Sequence, residues 1–541
     1  MKPNQHIAEL GPLLERLGIR HVIIAPGSRN APLIQLFTRN DPFQCYSIVD
    51  ERSAGYVALG MASSLNEPVA VVTTSGTAVL NLAPAVAEAY YQQVPLLILT
   101  ADRPVEPIPQ FNNQVIDQAA PFYNYTKGFF EMPVEPRTEQ DVIQALVNLE
   151  NLVEEGKAHP AGPVHINVPL LEPLYEDLPE PGLNQRAESG DAGTIREPRA
   201  ESLLLGSHQK ILLLAGAGKY DSQTSANLLR LAKNHQVVIV AENIANLPSK
   251  EFVHHPEVIL SGAGQEELEI LKPDLVIGLG GQVVSKKLKN FIQSDPDITS
   301  LVHGQDPSLT VRDLLRWQEK QPGLPGDSYL QSWKRLEKRV MEKADQAMVG
   351  FPFCNLTVIR EIIQEIPRDT VLHLGNSTTI RYSQLVPLRD DITYHSNRGT
   401  SGIDGSVSTA VGSAMVKDDL HLLLVGDLSF VYDSNALWNR KFPGNLRIVV
   451  LNDGGGSIFR LLEGPSRMEF FEEFSVTHHP VSIEMLSQAF GRRFRRVAGM
   501  EELKENLGIL MQPDSPLSVL EVDTTASENS RIFESFFDKT G

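Results

Sequence analysis

Two acidic residues in the last third of the chain stand where a phosphate-bearing ligand and its cation would be held. Residues 421–425 are an apolar run ending in Gly426-Asp427-Leu428-Ser429, and residues 446–451 are a second ending in Asn452-Asp453-Gly454-Gly455-Gly456. Asp427 and Asp453 lie 26 residues apart, room for a helix over 433–440 between two neighbouring parallel strands. Both loops would then meet at the carboxyl edge of one sheet, where α/β sheets place ligands. Asp427, Asp453 and a backbone carbonyl of the glycine turn, at Gly455, offer hard oxygen ligands suited to Mg²⁺, with Mn²⁺ as the alternative metal. Neighbouring helix N-termini would aim N–H groups at the same phosphates. Taken singly, Asp427 also fits a turn residue or a helix cap, and the glycines a tight turn. The two loops together, each on a strand end, point to a ligand.

Holding such loops takes a framework of buried strands. Apolar runs rich in Val, Ile and Leu recur at 21–25, 69–73, 96–100, 210–214, 236–240, 274–279, 371–374, 421–425 and 446–451, with helix-like stretches between them. Runs apolar on both faces suit strands between two helical layers, and their alternation with helices implies doubly wound parallel sheets. Residues 171–207, rich in Pro, Glu, Gly and Arg, read as an exposed linker, and residues 305–350 run from polar sequence into a charged helix. The expected division of the α/β fold is three units in series: 1–180, 181–345 with its flanking linkers, and 346–541.

The 541 residues carry 48 Lys plus Arg against 67 Asp plus Glu, a formal charge of −19. That balance argues against nucleic acid and anionic membrane as partners. It would also repel an anionic small molecule unless basic residues or a metal were gathered locally. The first residues read as an amphipathic helix without a signal-peptide core, and no run approaches the ~18 apolar residues of a membrane span, so a cytoplasmic protein is expected. Cys45 and Cys354 are too few for a disulfide framework and are expected to be small buried apolar residues.

The loop pair resembles the thiamine-diphosphate binding motif, Gly-Asp-Gly followed after a helix and a strand by Asn-Asn. Leu428 replaces the motif's second Gly, and Asp453 replaces the cation-binding Asn, which adds a negative charge beside a diphosphate. In the first third, residues 47–49 read as a strand leading into Asp50-Glu51-Arg52-Ser53-Ala54-Gly55-Tyr56. Several strings are together similar to the 2-succinyl-5-enolpyruvyl-6-hydroxy-3-cyclohexene-1-carboxylate synthases of the menaquinone pathway. In the first third these are Ala25-Pro26-Gly27-Ser28-Arg29-Asn30, Thr73-Thr74-Ser75-Gly76-Thr77, Ala101-Asp102-Arg103-Pro104 and Asn113-Gln114. In the last third they are Gly375-Asn376-Ser377 with Arg381, Ser396-Asn397-Arg398-Gly399-Thr400-Ser401-Gly402-Ile403-Asp404-Gly405, and Ile458-Phe459. The middle third contributes its length and Ser285-Lys286-Lys287.

This resemblance implies the thiamine-diphosphate-dependent decarboxylase architecture and a transferase that decarboxylates 2-oxoglutarate and adds the succinyl carbanion equivalent to isochorismate. Glu51 would hydrogen-bond the aminopyrimidine ring from a largely apolar pocket that raises its pKa. Ile403 would be the apolar wedge under the cofactor, with Leu428 and Ser429 beside it. Ser28, Arg29, Arg103, Asn113 and Gln114 would hold isochorismate, with Ile458 and Phe459 lining the site. Ser377, Arg381, Lys286 and Lys287 would receive 2-oxoglutarate, and Arg398 would stand near both. The family has Lys-Arg where this chain has Lys286-Lys287, so bidentate contact is lost at the second position. The active site is expected between two copies, in a homodimer or homotetramer. Two other readings stay open: an acetolactate-synthase-like carboligase, and a catalytically silent relative. The adjacent pairs His254-His255 and His478-His479 are poor joint metal ligands. Gly216-Ala217-Gly218-Lys219 lacks the third glycine of a dinucleotide fingerprint, so neither flavin nor NAD is expected. One condition follows for an acidic chain with anionic ligands: Arg29, Arg103, Lys286, Arg381 and Arg398 must share one cleft with the cation.

Overall fold

Alternate residues of each central strand face different cores. The computed structural model describes residues 4–39, 41–104, 115–183, 210–233, 236–302, 306–319, 329–461 and 468–541. The first sheet comprises β1 (His21–Ile24), β2 (Gln44–Ser47), β3 (Val69–Thr73), β4 (Leu96–Asp102), β5 (Phe129–Glu131) and β6 (Val164–Pro169). A second holds β7 (Ile211–Ala215), β8 (Val237–Ala241), β9 (Leu275–Leu279) and β10 (Thr299–Val302). The third holds β11 (Val371–Leu374), β12 (Thr393–His395), β13 (His421–Gly426), β14 (Leu446–Asn452), β15 (Phe494–Val497) and β16 (Val519–Asp523). These are the three doubly wound parallel sheets expected. The first runs β2-β1-β3-β4-β6-β5 and the third β12-β11-β13-β14-β16-β15, the same winding used twice. In each, strand order reverses beside the first strand, so the loops after β1 and β3, and after β11 and β13, flank a crevice suited to a ligand.

Burial explains why these runs are strands. Val22, Ile24, Val72 and Leu97 enter one core of the first sheet, whereas Ile23, Val71 and Ile98 enter the other. That second core continues through Leu423, Val425 and Ile448 of the third sheet. Leu422, Leu424 and Val449, on the opposite face, share a core with Leu212 and Val238 of the middle sheet. Helices Glu51–Leu65 and Ser406–Ala414 form the joint between the first and third sheets. They approach so closely that a Cβ on Gly60 would lie 2.0 Å from the Thr409 carbonyl oxygen, and one on Gly412 would lie 2.0 Å from that of Val57. No helix among the described residues is long and apolar enough to cross a membrane.

Several local expectations are corrected. The strand expected at 47–49 is β2, Gln44–Ser47; it lies at an edge with half-exposed side chains, so its apolar pattern is weak. Strands β6 and β16 escape the apolar pattern because buried polar residues, His165 and Asn167 in one and Glu521 in the other, interrupt it. The supposed linker is not exposed from its start. Residues 171–183 lie against the first unit: Leu174 is buried, Gln35 accepts from the Leu178 amide, and the buried Glu9 carboxylate takes the Gly182 and Leu183 amides at 2.7 and 3.1 Å. Position 345 falls inside the helix Tyr329–Val349, which packs on the C-terminal helix Asn529–Thr540. The N-terminal helix is broken into Gln5–Ala8 and Leu10–Arg16 and is mostly buried. Cys354 is buried, but Cys45, on edge strand β2, is half-buried.

Candidate active site

Strands β13 and β14 are neighbours whose register sets Gly426 beside Leu451, so Asp427 and Asp453 emerge together at the carboxyl edge. The helix expected over 433–440 instead starts at Asp427 itself, as Asp427–Tyr432, and a 3₁₀ turn Ser434–Trp438 follows. A carboxylate in the first turn complements the helix dipole, and Asp427 Oδ1 accepts from the Leu428 amide at 2.8 Å. Its Oδ2 is buried without a hydrogen-bond partner among the described residues. His479 Nε2 stands 3.3 Å from that oxygen, but neither His479 ring nitrogen makes a hydrogen bond, so the contact is one of proximity only. Burial pushes the Asp427 carboxyl up to about 6, against the pull of the Leu428, Gly455 and Gly454 amides. Burial, then the Asp427 charge, pushes Asp453 up to about 7.

Two buried carboxylates of which one raises the other, with one orphaned oxygen between the loops, form an environment that a divalent cation would neutralise. The residues present therefore fit a hard cation. No group of three or more His, Cys, Asp or Glu suited to a metal occurs among the described residues, and a backbone carbonyl is a hard oxygen that can serve as a further ligand. Gly455 can supply it: φ is +130°, and a Cβ there would lie 2.5 Å from the Val476 carbonyl oxygen.

The segment 396–405 is drawn to these loops by side chains. Ser429 Oγ donates to the Ile403 carbonyl. Asn376 Nδ2 donates to the Asn397 and Gly402 carbonyls, each at 2.7 Å, and its Oδ1 accepts from Arg398 at 2.8 Å. Ile403 lies before the helix Ser406–Ala414 and is 41% exposed, which is not the burial of a core residue. Arg398 Nε is buried without a partner among the described residues. Burial and then the nearby Arg381 charge lower the Arg398 pKa.

Next to the glycine loop lies a cleft of about 290 Å³ lined by Lys286, Lys287, Arg381, Ile458, Phe533 and Phe537. Three of these are basic residues expected at the 2-oxoglutarate end, and Ile458 follows Gly455 by three positions. Phe459, the next residue, is part-exposed. Lys287 Nζ rests over the Phe537 ring at 5.1 Å. Both lysines start the helix Lys286–Gln293, capped by Ser285, whose hydroxyl accepts from the Leu288 amide at 3.0 Å. Ser377 precedes Arg381 on the helix Thr378–Ser383 and is held at φ +75°, a left-handed conformation that costs a residue bearing a Cβ.

A second group sits at the carboxyl edge of the first sheet. Ser28 is exposed after β1, and Arg103 follows β4 with its Nε buried and without a hydrogen-bond partner among the described residues. Arg29 is not free to meet a ligand in this chain: its guanidinium is buried, donating to the Leu170 carbonyl and to Glu172 Oε1, each at 3.1 Å. Glu51 opens the helix Glu51–Leu65, which Asp50 caps by accepting from Ser53 N at 3.0 Å. Glu51 is half-buried and meets Asn81 Nδ2 at 3.5 Å, not the enclosed apolar pocket expected. Asn113 and Gln114 lie outside the described residues. The five basic residues therefore form two groups: Lys286, Arg381 and Arg398 on one side, Arg29 and Arg103 on the other. No hydrogen bond or ion pair among the described residues joins them within one chain.

Comparison with known proteins bears on what these groups serve. Residues 6–120 match the thiamine pyrophosphate enzyme, N-terminal TPP binding domain, and residues 375–522 the corresponding C-terminal TPP binding domain. The 2-succinyl-5-enolpyruvyl-6-hydroxy-3-cyclohexene-1-carboxylate synthase of Desulfotalea psychrophila is 39% identical, covering 96% of this chain and 98% of its own. Synthases of the same name from Bacteroides thetaiotaomicron (35%, covering 99% and 98%) and Flavobacterium johnsoniae (34%, covering 96% and 96%) are similarly related. The chain belongs to this synthase family. It is a thiamine-diphosphate-dependent enzyme.

Within this member of the synthase family, four further residues organise the site; of these only Asn376 had stood out in the sequence, as part of Gly375-Asn376-Ser377. Asn376 ties the Arg398 segment down. Glu242, fully buried at the end of β8, takes the Val284 and Ser285 amides and so presents the two lysines. Lys289 is half-buried, and its ammonium makes no ion pair among the described residues. Burial, then the Arg398 charge, lowers its pKa. Asn355, on a helix 98 residues before Asp453, donates to Asp453 Oδ2 at 2.8 Å. A lone Asn or Glu carries no sequence signal of such a role; a Lys three positions after Lys286, on the same helical face, carries a faint one.

Proposed function

We propose that this chain is the menaquinone-pathway transferase that joins 2-oxoglutarate, after loss of CO2, to isochorismate. The observation that carries the reading is the convergence of Lys286, Lys287, Arg381 and Ile458 on one cleft beside the Asp427 and Asp453 loops. Dicarboxylate substrates demand such a cluster, whereas a small apolar acceptor would not. Thiamine diphosphate, when bound, supplies the electron sink for decarboxylation. Asp427, Asp453 and the Gly455 carbonyl would hold the divalent cation, Mg²⁺ or Mn²⁺, that neutralises the diphosphate. Ile403 would give the cofactor an apolar support, with Leu428 and Ser429 beside it.

Lys286, Lys287, Arg381 and Ser377 bind the carboxylates of 2-oxoglutarate, and Arg398, held by Asn376, orients the substrates at the reacting centre. In this reading a homodimer, or a pair of such dimers, is required. A second copy brings its Glu51, Ser28, Arg103, Asn113 and Gln114 to the cleft, so Glu51 gains its enclosure and holds a proton at the aminopyrimidine ring. Arg29, pinned by Glu172, positions that wall of the isochorismate site unless the ion pair opens. Units 1–180 and 346–541 take the two ends of the cofactor, and unit 181–345 supplies the lysines. Substrates and enzyme share the cytoplasm.

The test is to mix the protein with Mg²⁺, thiamine diphosphate, 2-oxoglutarate and isochorismate, and to follow isochorismate absorbance and CO2 release. Equal loss of isochorismate and gain of CO2 supports the reading. No loss, with pyruvate consumed in place of 2-oxoglutarate, overturns it. Glu51→Gln should abolish turnover with the fold intact by circular dichroism, and near-normal turnover would remove Glu51 from the chemistry.

A further inference from the structure

The chain has Asp453 where its wider superfamily motif has Asn, and the surroundings of that residue differ from those of a simple surface ligand. Among the described residues both hydrogen bonds to the Asp453 carboxylate fall on one oxygen: Asn355 Nδ2 donates to Oδ2 at 2.8 Å, and Ser457 Oγ donates to the same atom. Asn355 is fully buried and held at both side-chain polar atoms and at its backbone N–H. Its Oδ1 accepts from Thr524 Oγ1 at 2.7 Å, and its backbone N–H donates to Asn529 Oδ1 at 2.8 Å. Thr524 is tied back to the metal loop through its amide, which donates to the Asn452 carbonyl at 2.9 Å. An ionised carboxylate is acceptor-only, so the Asn355 amide must turn its NH2 toward Asp453, and the Thr524 hydroxyl holds it there.

We propose that Asn355 is a positioning residue that locks Asp453 Oδ2, leaves Oδ1 to face the cation, and makes Asp rather than Asn the ligand this chain requires. The reasoning rests on the cation site proposed above. An Asn at 453 has a single acceptor oxygen, and the two donors, Asn355 and Ser457, would claim it. Its NH2 would then occupy the position facing the cation and could not ligate it. Reversing the pair restores the pattern: with Asn at 453 and Asp at 355, the new Asp accepts from the Asn NH2 and from Thr524, and the amide oxygen is left for the cation. The charge of the pair is unchanged by the exchange.

The experiment measures binding of Mn²⁺ to the full-length protein in the presence of thiamine diphosphate, from the free Mn²⁺ signal in electron paramagnetic resonance. Losing a partner that orients a metal ligand weakens binding by about 10–100-fold, which is expected for Asn355→Leu, and Asp453→Asn, which turns its NH2 to the cation, should lose at least as much. The double variant Asp453→Asn with Asn355→Asp should recover to within about threefold of the unsubstituted protein, a rescue that a merely structural role would not produce. Melting temperatures without metal are recorded alongside, and the double variant serves where Asn355→Leu fails to fold. Unchanged Mn²⁺ affinity in Asp453→Asn, or no recovery in the folded double variant, overturns the role of Asn355 alone. No Mn²⁺ binding by the unsubstituted protein overturns the cation site itself.

Discussion

Glu242 offers a test of how the lysine loop is held, because its carboxylate is buried at the end of β8 and takes the Ser285 amide at 2.7 Å and the Val284 amide beside it. Burial pushes this carboxyl from 4.5 up to about 7, outweighing the two amides and Lys289, while the nearby Glu257 charge adds to the rise. In the unfolded chain it ionises near 4.5. Between these values the folded state keeps a proton that the unfolded state has released. The stability this group contributes is therefore fully present below the unfolded value and is lost as pH rises through the folded one. A gap of about 2.5 units corresponds to about 3 kcal/mol. Glu242→Gln cannot titrate. The stability of the unsubstituted protein minus that of the variant, from urea denaturation followed by circular dichroism, should fall by about 3 kcal/mol between pH 4 and pH 8. Gln also faces two amide donors with one acceptor, so the loop loosens and KM for 2-oxoglutarate should rise about tenfold. Parallel stability curves across that range would refute the assignment of a buried, proton-retaining Glu242.

Ser377→Gly removes a left-handed strain worth about 1 kcal/mol, so the substrate-free protein should melt higher while KM for 2-oxoglutarate rises; an unchanged KM would take the hydroxyl out of the site. Gly412→Ala drives a Cβ against the Val57 carbonyl oxygen and should lower stability by about 1–3 kcal/mol in urea denaturation. Gly508→Ala, whose Cβ would meet nothing within 4 Å inside the helix Met500–Leu510, should raise it by up to about 1 kcal/mol. Equal effects at the two glycines would deny the tight helix joint. Arg381→Ala should raise KM for 2-oxoglutarate about 10–100-fold and leave KM for isochorismate nearly unchanged; a shift in both would move Arg381 nearer the reacting centre.

Much of the fold is written in local pattern. A run such as residues 446–451, apolar at every position, has no solvent face to offer and must lie between two layers, so the central strands and the loops at their ends could be read directly. The two acidic loops were legible for the same reason: each follows a strand whose end is marked by glycine. Pattern failed where burial is satisfied by polar partners. His165 and Asn167 interrupt β6, Glu521 interrupts β16, and the strap 171–183 looks solvent-exposed in composition although Glu9, far away in sequence, caps its amides.

The chemistry divides along the same line. Residue type and motif pointed to a diphosphate, a hard cation and carboxylates as what this chain would handle, and named Asp427, Asp453, Glu51 and the basic residues as the candidates to do so. Tertiary structure decided how they are grouped. It paired Arg29 with Glu172, 143 residues away, and gathered Lys286, Lys287 and Arg381 from two helices distant in sequence into one cleft. It left Glu51 half-buried with Asn81 Nδ2 beside it and set Asn355 on one oxygen of Asp453. A residue's charge and hydrogen-bonding capacity are local properties that a sequence carries outright. The partner that satisfies them depends on which distant surfaces are brought together by burying the apolar faces between them, and that is settled only when the cores have formed.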